Sequence, residues 1–116
     1  MRRRHSSEPV HLSRAEAVAG LASTDAADRI DALLSLALYD ADWAFPQDRC
    51  LDSLDDPDSG VVATAILCLG HIARRHRTLD LGRVYPALTG LRSAPSLEGR
   101  VQDTIEDIAV FVPGSS

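Results

Sequence analysis

Between Asp58 and Arg75 the chain reads D-S-G-V-V-A-T-A-I-L-C-L-G-H-I-A-R-R, with no continuous charged face. Val61, Val62, Ala63, Ala65, Ile66, Leu67, Leu69, Ile72 and Ala73 fall at almost every helical phase. A helix that is apolar nearly all round has to be covered on nearly all sides. A membrane span needs about 20 apolar residues, more than this run offers. The stretch is therefore read as the central helix of a small all-helical domain, and the rest of the chain as what covers it.

A length of 116 residues fits one domain. It is enough to bury a core without a metal or disulfide staple. Ala and Leu dominate and aromatics are only 4%, which favours helices over sheets. The net charge is −5, and all 12 basic residues are Arg. That balance argues against general nucleic-acid binding, which wants a basic patch. It suits a basic protein partner. Cys50 and Cys68 form no C-x-x-C and sit in apolar helical contexts, so they are read as small, reduced core residues. Met1-Arg2-Arg3-Arg4-His5 is basic, but no apolar stretch follows, so it does not read as a signal peptide. The expected organisation is a frayed basic arm over 1–9, one helical domain over 10–112 and a frayed tail over 113–116. The expected location is cytoplasmic.

Caps and breakers divide the domain. Ser13 with Glu16 forms a capping box that starts a helix through Leu21. Ser23-Thr24-Asp25 breaks it and caps a second, Ala26 to Tyr39, which Asp40-Ala41-Asp42 stops. A third runs to Leu54, starting at Trp43 with Asp42 as cap or at Pro46. Asp55-Asp56-Pro57-Asp58 turns into the central helix. Arg74, Arg75 and Arg77 sit at its C-terminal end, where cations complement the helix dipole. Asp80 is placed to cap a fifth helix, Leu81 to about Arg92, which Pro86 should kink or restart. A sixth runs from about Leu97 to Phe111.

The six helices carry an internal period. Ala17-Val18-Leu21, Cys50-Leu51-Leu54 and Ala87-Leu88-Leu91 share one pattern, at spacings of 33 and 37 residues. Ala32-Leu33-Leu36-Tyr39, Ala65-Ile66-Leu69-Ile72 and Thr104-Ile105-Ile108-Phe111 share another, at 33 and 39. Three helix hairpins of this length form an α-solenoid in which each hairpin buries its open face on the next. The alternative is a compact three-hairpin bundle without solenoid stacking.

The run Leu51-x-x-Leu54-x-Asp56-Pro57-Asp58-x-x-Val61-x-x-x-Ala65-x-x-x-Leu69-Gly70 resembles a HEAT repeat, and Pro86-Ala87-Leu88-x-x-Leu91 resembles the Pro-kinked first helix of another. HEAT repeats usually carry an Arg just after the Val; that place is Val62 here, while Arg29 and Arg100 fall at or near it in the outer repeats. The resemblance covers about residues 12 to 112 and implies an all-α fold of three helical hairpins stacked as a short HEAT-like α-solenoid. Leu69-Gly70-His71-Ile72-Ala73-Arg74 and Thr78-Leu79-Asp80 are similar to segments of small HEAT-like immunity proteins of bacterial toxin systems. That resemblance implies a protein that binds and silences a toxin, with no chemistry of its own. Three alternatives stay open: a HEAT-like scaffold or adaptor with another cytosolic partner, an accessory, lyase-like HEAT protein, and a nucleic-acid binder acting through Arg2-Arg3-Arg4 and Arg74-Arg75-Arg77.

No Gly-rich phosphate loop, Gly-x-Ser-x-Gly or His-Glu-x-x-His occurs, so no enzyme, cofactor or metal site is expected. His71 and His76, five apart, do not share a helical face. The Asp55-Asp56-Asp58 cluster lacks EF-hand spacing and is read as turn and caps. On the second helix Asp28, Asp31 and Ser35 lie on one stripe. The same phase gives Thr64, Cys68 and His71 on the central helix, and Arg100, Asp103, Glu106 and Asp107 on the last. With hairpins in register these stripes adjoin, and the candidate partner-binding residues are Asp28, Asp31, Ser35, Thr64, His71, Arg100, Asp103, Glu106 and Asp107. The expected partner is a basic protein such as a toxin or nuclease domain, with no direct nucleic acid, membrane or metal. Trp43 and Tyr85 are candidate anchors if exposed.

Overall fold

The computed structural model describes residues 11–114. The arm over 1–9, Val10, and Ser115–Ser116 of the tail lie outside the described residues. Six helices are present among the described residues: α1 Arg14–Leu21, α2 Ala26–Tyr39, α3 Ala44–Ser53, α4 Ser59–His76, α5 Leu81–Leu91 and α6 Glu98–Phe111. There is no strand among them.

Local chemistry sets most of the boundaries. The Ser13–Glu16 capping box starts α1 as the sequence predicts. Asp25 accepts from the Ala27 N–H at the head of α2. Asp42 accepts from both Ala44 and Phe45 N–H, so it caps α3, and Pro46 falls inside the first turn instead of starting it. Asp80 stands at the N-cap of α5, but its carboxylate makes no capping bond. α5 runs through Pro86 without restarting there. Pro86 has no N–H to donate to the carbonyl of Gly82, one turn earlier, and Gly82 is exposed.

The helices pair as hairpins: α1 with α2, α3 with α4, α5 with α6. The second helices then lie side by side, with α4 between α2 and α6. The fold is therefore all-α, three helix hairpins stacked through a layer of second helices. Its core is one apolar cluster centred on α4, with Leu33 and Ala37 from α2, Cys50 from α3, Val84 and Leu88 from α5, and Val101 and Ile108 from α6. A smaller cluster of Ala17, Ala32 and Leu36 seals α1 onto α2. There a Cβ on Gly20 would come within 3.2 Å of the Ala32 Cβ, so the close approach of the two helices depends on glycine.

Polar bonds between hairpins fix the stacking. The Arg29 guanidinium donates to both oxygens of Asp56 at 2.9 and 3.0 Å, tying α2 to the turn before α4. Asp56 also accepts from the Asp58 N–H, and Asp58 in turn caps α4. The acidic turn is thus a relay from one hairpin to the next. Arg100 makes no comparable ion pair among the described residues. The Thr104 hydroxyl donates to the Ile66 carbonyl at 3.1 Å between α6 and α4. Gln47, 1% exposed on α3, accepts from the Asp80 N–H at 2.6 Å and so holds the head of α5.

Candidate functional site

The layer of α2, α4 and α6 presents one outward strip per helix. On α4 the strip runs through Ala63, Leu67, His71 and Arg74, because the phases on either side are taken by α2 and α6. α4 is therefore covered less completely than its composition predicts. Nine of its 18 residues are buried, yet Leu67 in mid-helix is 40% exposed. An apolar residue at nearly every phase hides which phase faces out.

The candidate residues separate in this setting. Ser35 leaves the surface: it is 1% exposed, with its hydroxyl accepting from the Leu12 N–H at 2.8 Å and donating to the Leu12 carbonyl at 3.1 Å. The segment before α1 is clasped over it, and His11 stacks on Tyr39 with ring centroids 4.2 Å apart. Cys68, on the same expected stripe, is fully buried. Asp28 is exposed at the α1 edge, bonded to the Ser23 hydroxyl at 2.8 Å. Thr64 is half-buried and donates to the Gly60 carbonyl within its own helix. Asp31 is half-buried on the outward strip of α2, beside Leu34 and Leu38. Arg100, Asp103 and Glu106 are exposed on α6, and Glu106 accepts from Gln102 at 3.1 Å. Asp107 reaches Arg74 at 3.4 Å across the α4–α6 seam, and a Cβ on Gly70 would lie 3.3 Å from its carboxylate.

Electrostatically the strip is acidic at its α6 side and neutral in the middle. Burial holds the His71 imidazole below its usual pKa; Arg74 adds to this and Asp107 opposes it. The histidine is therefore uncharged near neutral pH, and the centre of the layer is apolar and neutral around Leu67.

The arginines at the end of α4 do not make an anion-binding patch. Arg74 pairs with Asp107. Arg75 donates to the carbonyls of Ala37 and Asp40, so it caps the neighbouring α2 instead of complementing its own helix. Arg77 lies over the Phe111 ring at 5.8 Å, in a left-handed conformation at φ 56°. Trp43 and Tyr85 are half-buried against the core, which removes them as exposed anchors. Leu67 is an apolar surface residue of this layer that sequence reasoning missed, as Val18 and Tyr39 are on the apolar registers of α1 and α2.

On the opposite side, α1 and α3 border a groove of about 490 Å³ lined by Val18, Leu21, Phe45 and Arg49. Its charges answer one another: Arg29 with Asp56, Arg49 with Asp52 at 2.9 Å. The Arg14 and Arg49 guanidiniums both lie over the Phe45 ring, at 4.4 and 5.2 Å from its centroid. Among the described residues no three His, Cys, Asp or Glu side chains converge as metal ligands. No helix among them is long and apolar enough to cross a membrane.

No family model matches this chain, and no curated protein matches it. A solved structure does. The fold is similar, with a TM-score of 0.83 and 28% identity, to a chain in the crystal structure of a CDI complex from Cupriavidus taiwanensis LMG 19424, covering 94% of this chain and 98% of that one.

Proposed function

We propose that this protein is the immunity half of a bacterial contact-dependent inhibition pair. It binds the toxic domain of its partner and neutralises that domain by occupying it. The observation that carries the reading is the likeness, over nearly the whole of both chains, to a chain of a CDI complex. The similar segments Leu69–Arg74 and Thr78–Asp80 support the same reading. The surface chemistry agrees with it: the chain is net acidic, and Asp31, Asp103, Glu106 and Asp107 lie on the second-helix layer. Toxic nucleases need basic surfaces to reach nucleic acid, and an acidic layer competes for that surface. The binding residues proposed are Asp31, Thr64, His71, Arg100, Asp103, Glu106 and Asp107, with Asp28 at the margin.

The test is neutralisation. The toxin domain encoded by the neighbouring gene, expressed in a bacterial host, should arrest growth. Co-expression of this chain should restore growth, and the two should purify as a stable complex. Continued arrest in cells that hold the folded chain would refute the proposal. Arrest caused by this chain alone would reverse it, making this the toxic half.

A further inference from the structure

We infer that Leu67 is the apolar anchor of the partner-binding layer, and that the partner seats an aliphatic or aromatic side chain there, flanked by Arg or Lys. This rests on the proposal of a toxin partner and adds where, and with what chemistry, it docks. The other long aliphatic residues of α4, Val61, Val62, Ile66, Leu69 and Ile72, are all buried. Leu67 alone among them faces out, at the midpoint of the central helix.

Its surroundings give it the form of a binding centre. The 33-residue register sets the half-buried Leu34 of α2 level with it, and Ala63 lies one turn before it. His71, one turn after, is held neutral by burial. Carboxylates lie on the two flanking helices, Asp31 on α2 and Asp103 and Asp107 on α6, with Asp107 reaching α4 at Gly70 and Arg74. Asp103 makes no ion pair among the described residues, while the pairing of Asp107 with Arg74 offsets the one cation in the strip. A small apolar centre ringed by polar groups is the usual anatomy of an interface hot spot. Charge complementarity then selects a partner segment that is basic around its apolar side chain.

The other exposed apolar residues lack this setting. Val18 borders the α1–α3 groove, where the charges are already paired. Tyr39 is stacked under His11. Val110, near the end of α6, is 72% exposed and so offers no enclosing neighbours.

The experiment compares Leu67→Arg, Leu67→Ala and Val110→Arg, each checked by thermal melting. Binding to the toxin domain of the neighbouring gene is measured by calorimetry, and protection by growth. Leu67→Arg should weaken binding by about 100-fold and abolish protection, and Leu67→Ala should weaken it by about 10-fold. Val110→Arg should stay within about 3-fold of the parent, as a site outside the hot spot does. The loss from Leu67→Ala should persist at 0.5 M salt, because an apolar contact is not screened. If the parent binds and both Leu67 variants bind equally well, the anchor lies elsewhere while the immunity proposal stands. If the parent neither binds nor protects, both fall.

Discussion

The two helical layers of this molecule dispose of their charges in opposite ways. On the first-helix side nearly every arginine has an acidic partner close by: Arg14 with Asp40, Arg49 with Asp52, Arg83 with Asp48. Of these three only Arg83–Asp48 runs from one hairpin to the next, as do Arg29–Asp56 and Gln47–Asp80. On the second-helix side the hairpins are joined mainly by buried apolar surface, with the Thr104–Ile66 and Arg75–Ala37 hydrogen bonds beside it, and among the described residues the carboxylates of α6 make one ion pair, Asp107 with Arg74. The first-helix side pairs most of its charges within the fold, and the second-helix side leaves most of its α6 carboxylates facing solvent. A surface whose ion pairs are already satisfied gains little from a partner, whereas an acidic rim around an apolar centre is a surface with unused binding energy.

The largest expected effect tests that division within one helix. Leu69 and Leu67 are two residues apart on α4, at 0% and 40% exposure. Leu69→Ala should cost about 2–5 kcal/mol of unfolding free energy, since it opens a cavity in the main cluster. Leu67→Ala should cost under about 1 kcal/mol. Urea denaturation of both variants checks this, and equal losses would erase the distinction between the core and outward faces of α4.

Next comes the polar stitching of the first-helix side. Gln47→Leu removes the acceptor of the Asp80 N–H at the head of α5. The expected cost is about 1–3 kcal/mol, that of a buried donor left without a partner. Amide exchange in α5 should accelerate more than in α2. Uniform acceleration would mean that Gln47 does not hold the third hairpin specifically.

Periodicity and caps reveal the helices well because both are local. α2 is bounded by Asp25 and Asp40, and its predicted ends match the observed ones. The hairpin pairing follows from the repeated registers. What periodicity cannot supply is phase on α4, where apolar residues occur at nearly every position, so the exposure of Leu67 is set only by the spacing of α2 and α6. Ser35 fails differently. A binary pattern reads a serine as surface, but a small hydroxyl satisfied by the Leu12 main chain is at home in the interior. Gln47 and Arg75 were missed for a related reason: each bonds the backbone of an element far away in sequence.

A smaller effect is expected at the Arg29–Asp56 pair, whose side chains are only 16% and 12% exposed. Hydrogen bonding by Arg29 holds the Asp56 carboxyl below the ordinary value of 3.8. A carboxyl depressed on folding adds stability above its unfolded pKa, and that stability is lost as pH falls through the folded pKa. Asp56→Asn keeps the shape and loses the charge, so its melting temperature should be lower than the parent's at pH 7. The gap should close as pH drops from about 4 downward. A gap that is constant across that range would show that the charge of Asp56 contributes nothing.

The smallest effect on stability should come from reversing single charges, and it separates the two layers most directly. Asp103→Arg replaces an exposed carboxylate without an ion pair among the described residues, so the melting temperature should move by no more than about 2 °C. Asp52→Arg, on the first-helix side, breaks only an exposed pair with Arg49 and should be similarly mild. Their effects on association should differ. Rim charges steer encounter, so Asp103→Arg should slow association with a basic toxin domain several-fold at low salt, and the deficit should vanish near 1 M salt. Asp52→Arg should leave the association rate unchanged. Stopped-flow mixing of each variant with the toxin domain reads this directly. If Asp52→Arg slows association and Asp103→Arg does not, the partner approaches the α1–α3 groove, and the outward carboxylates of α6 are no more than a solvated helix face.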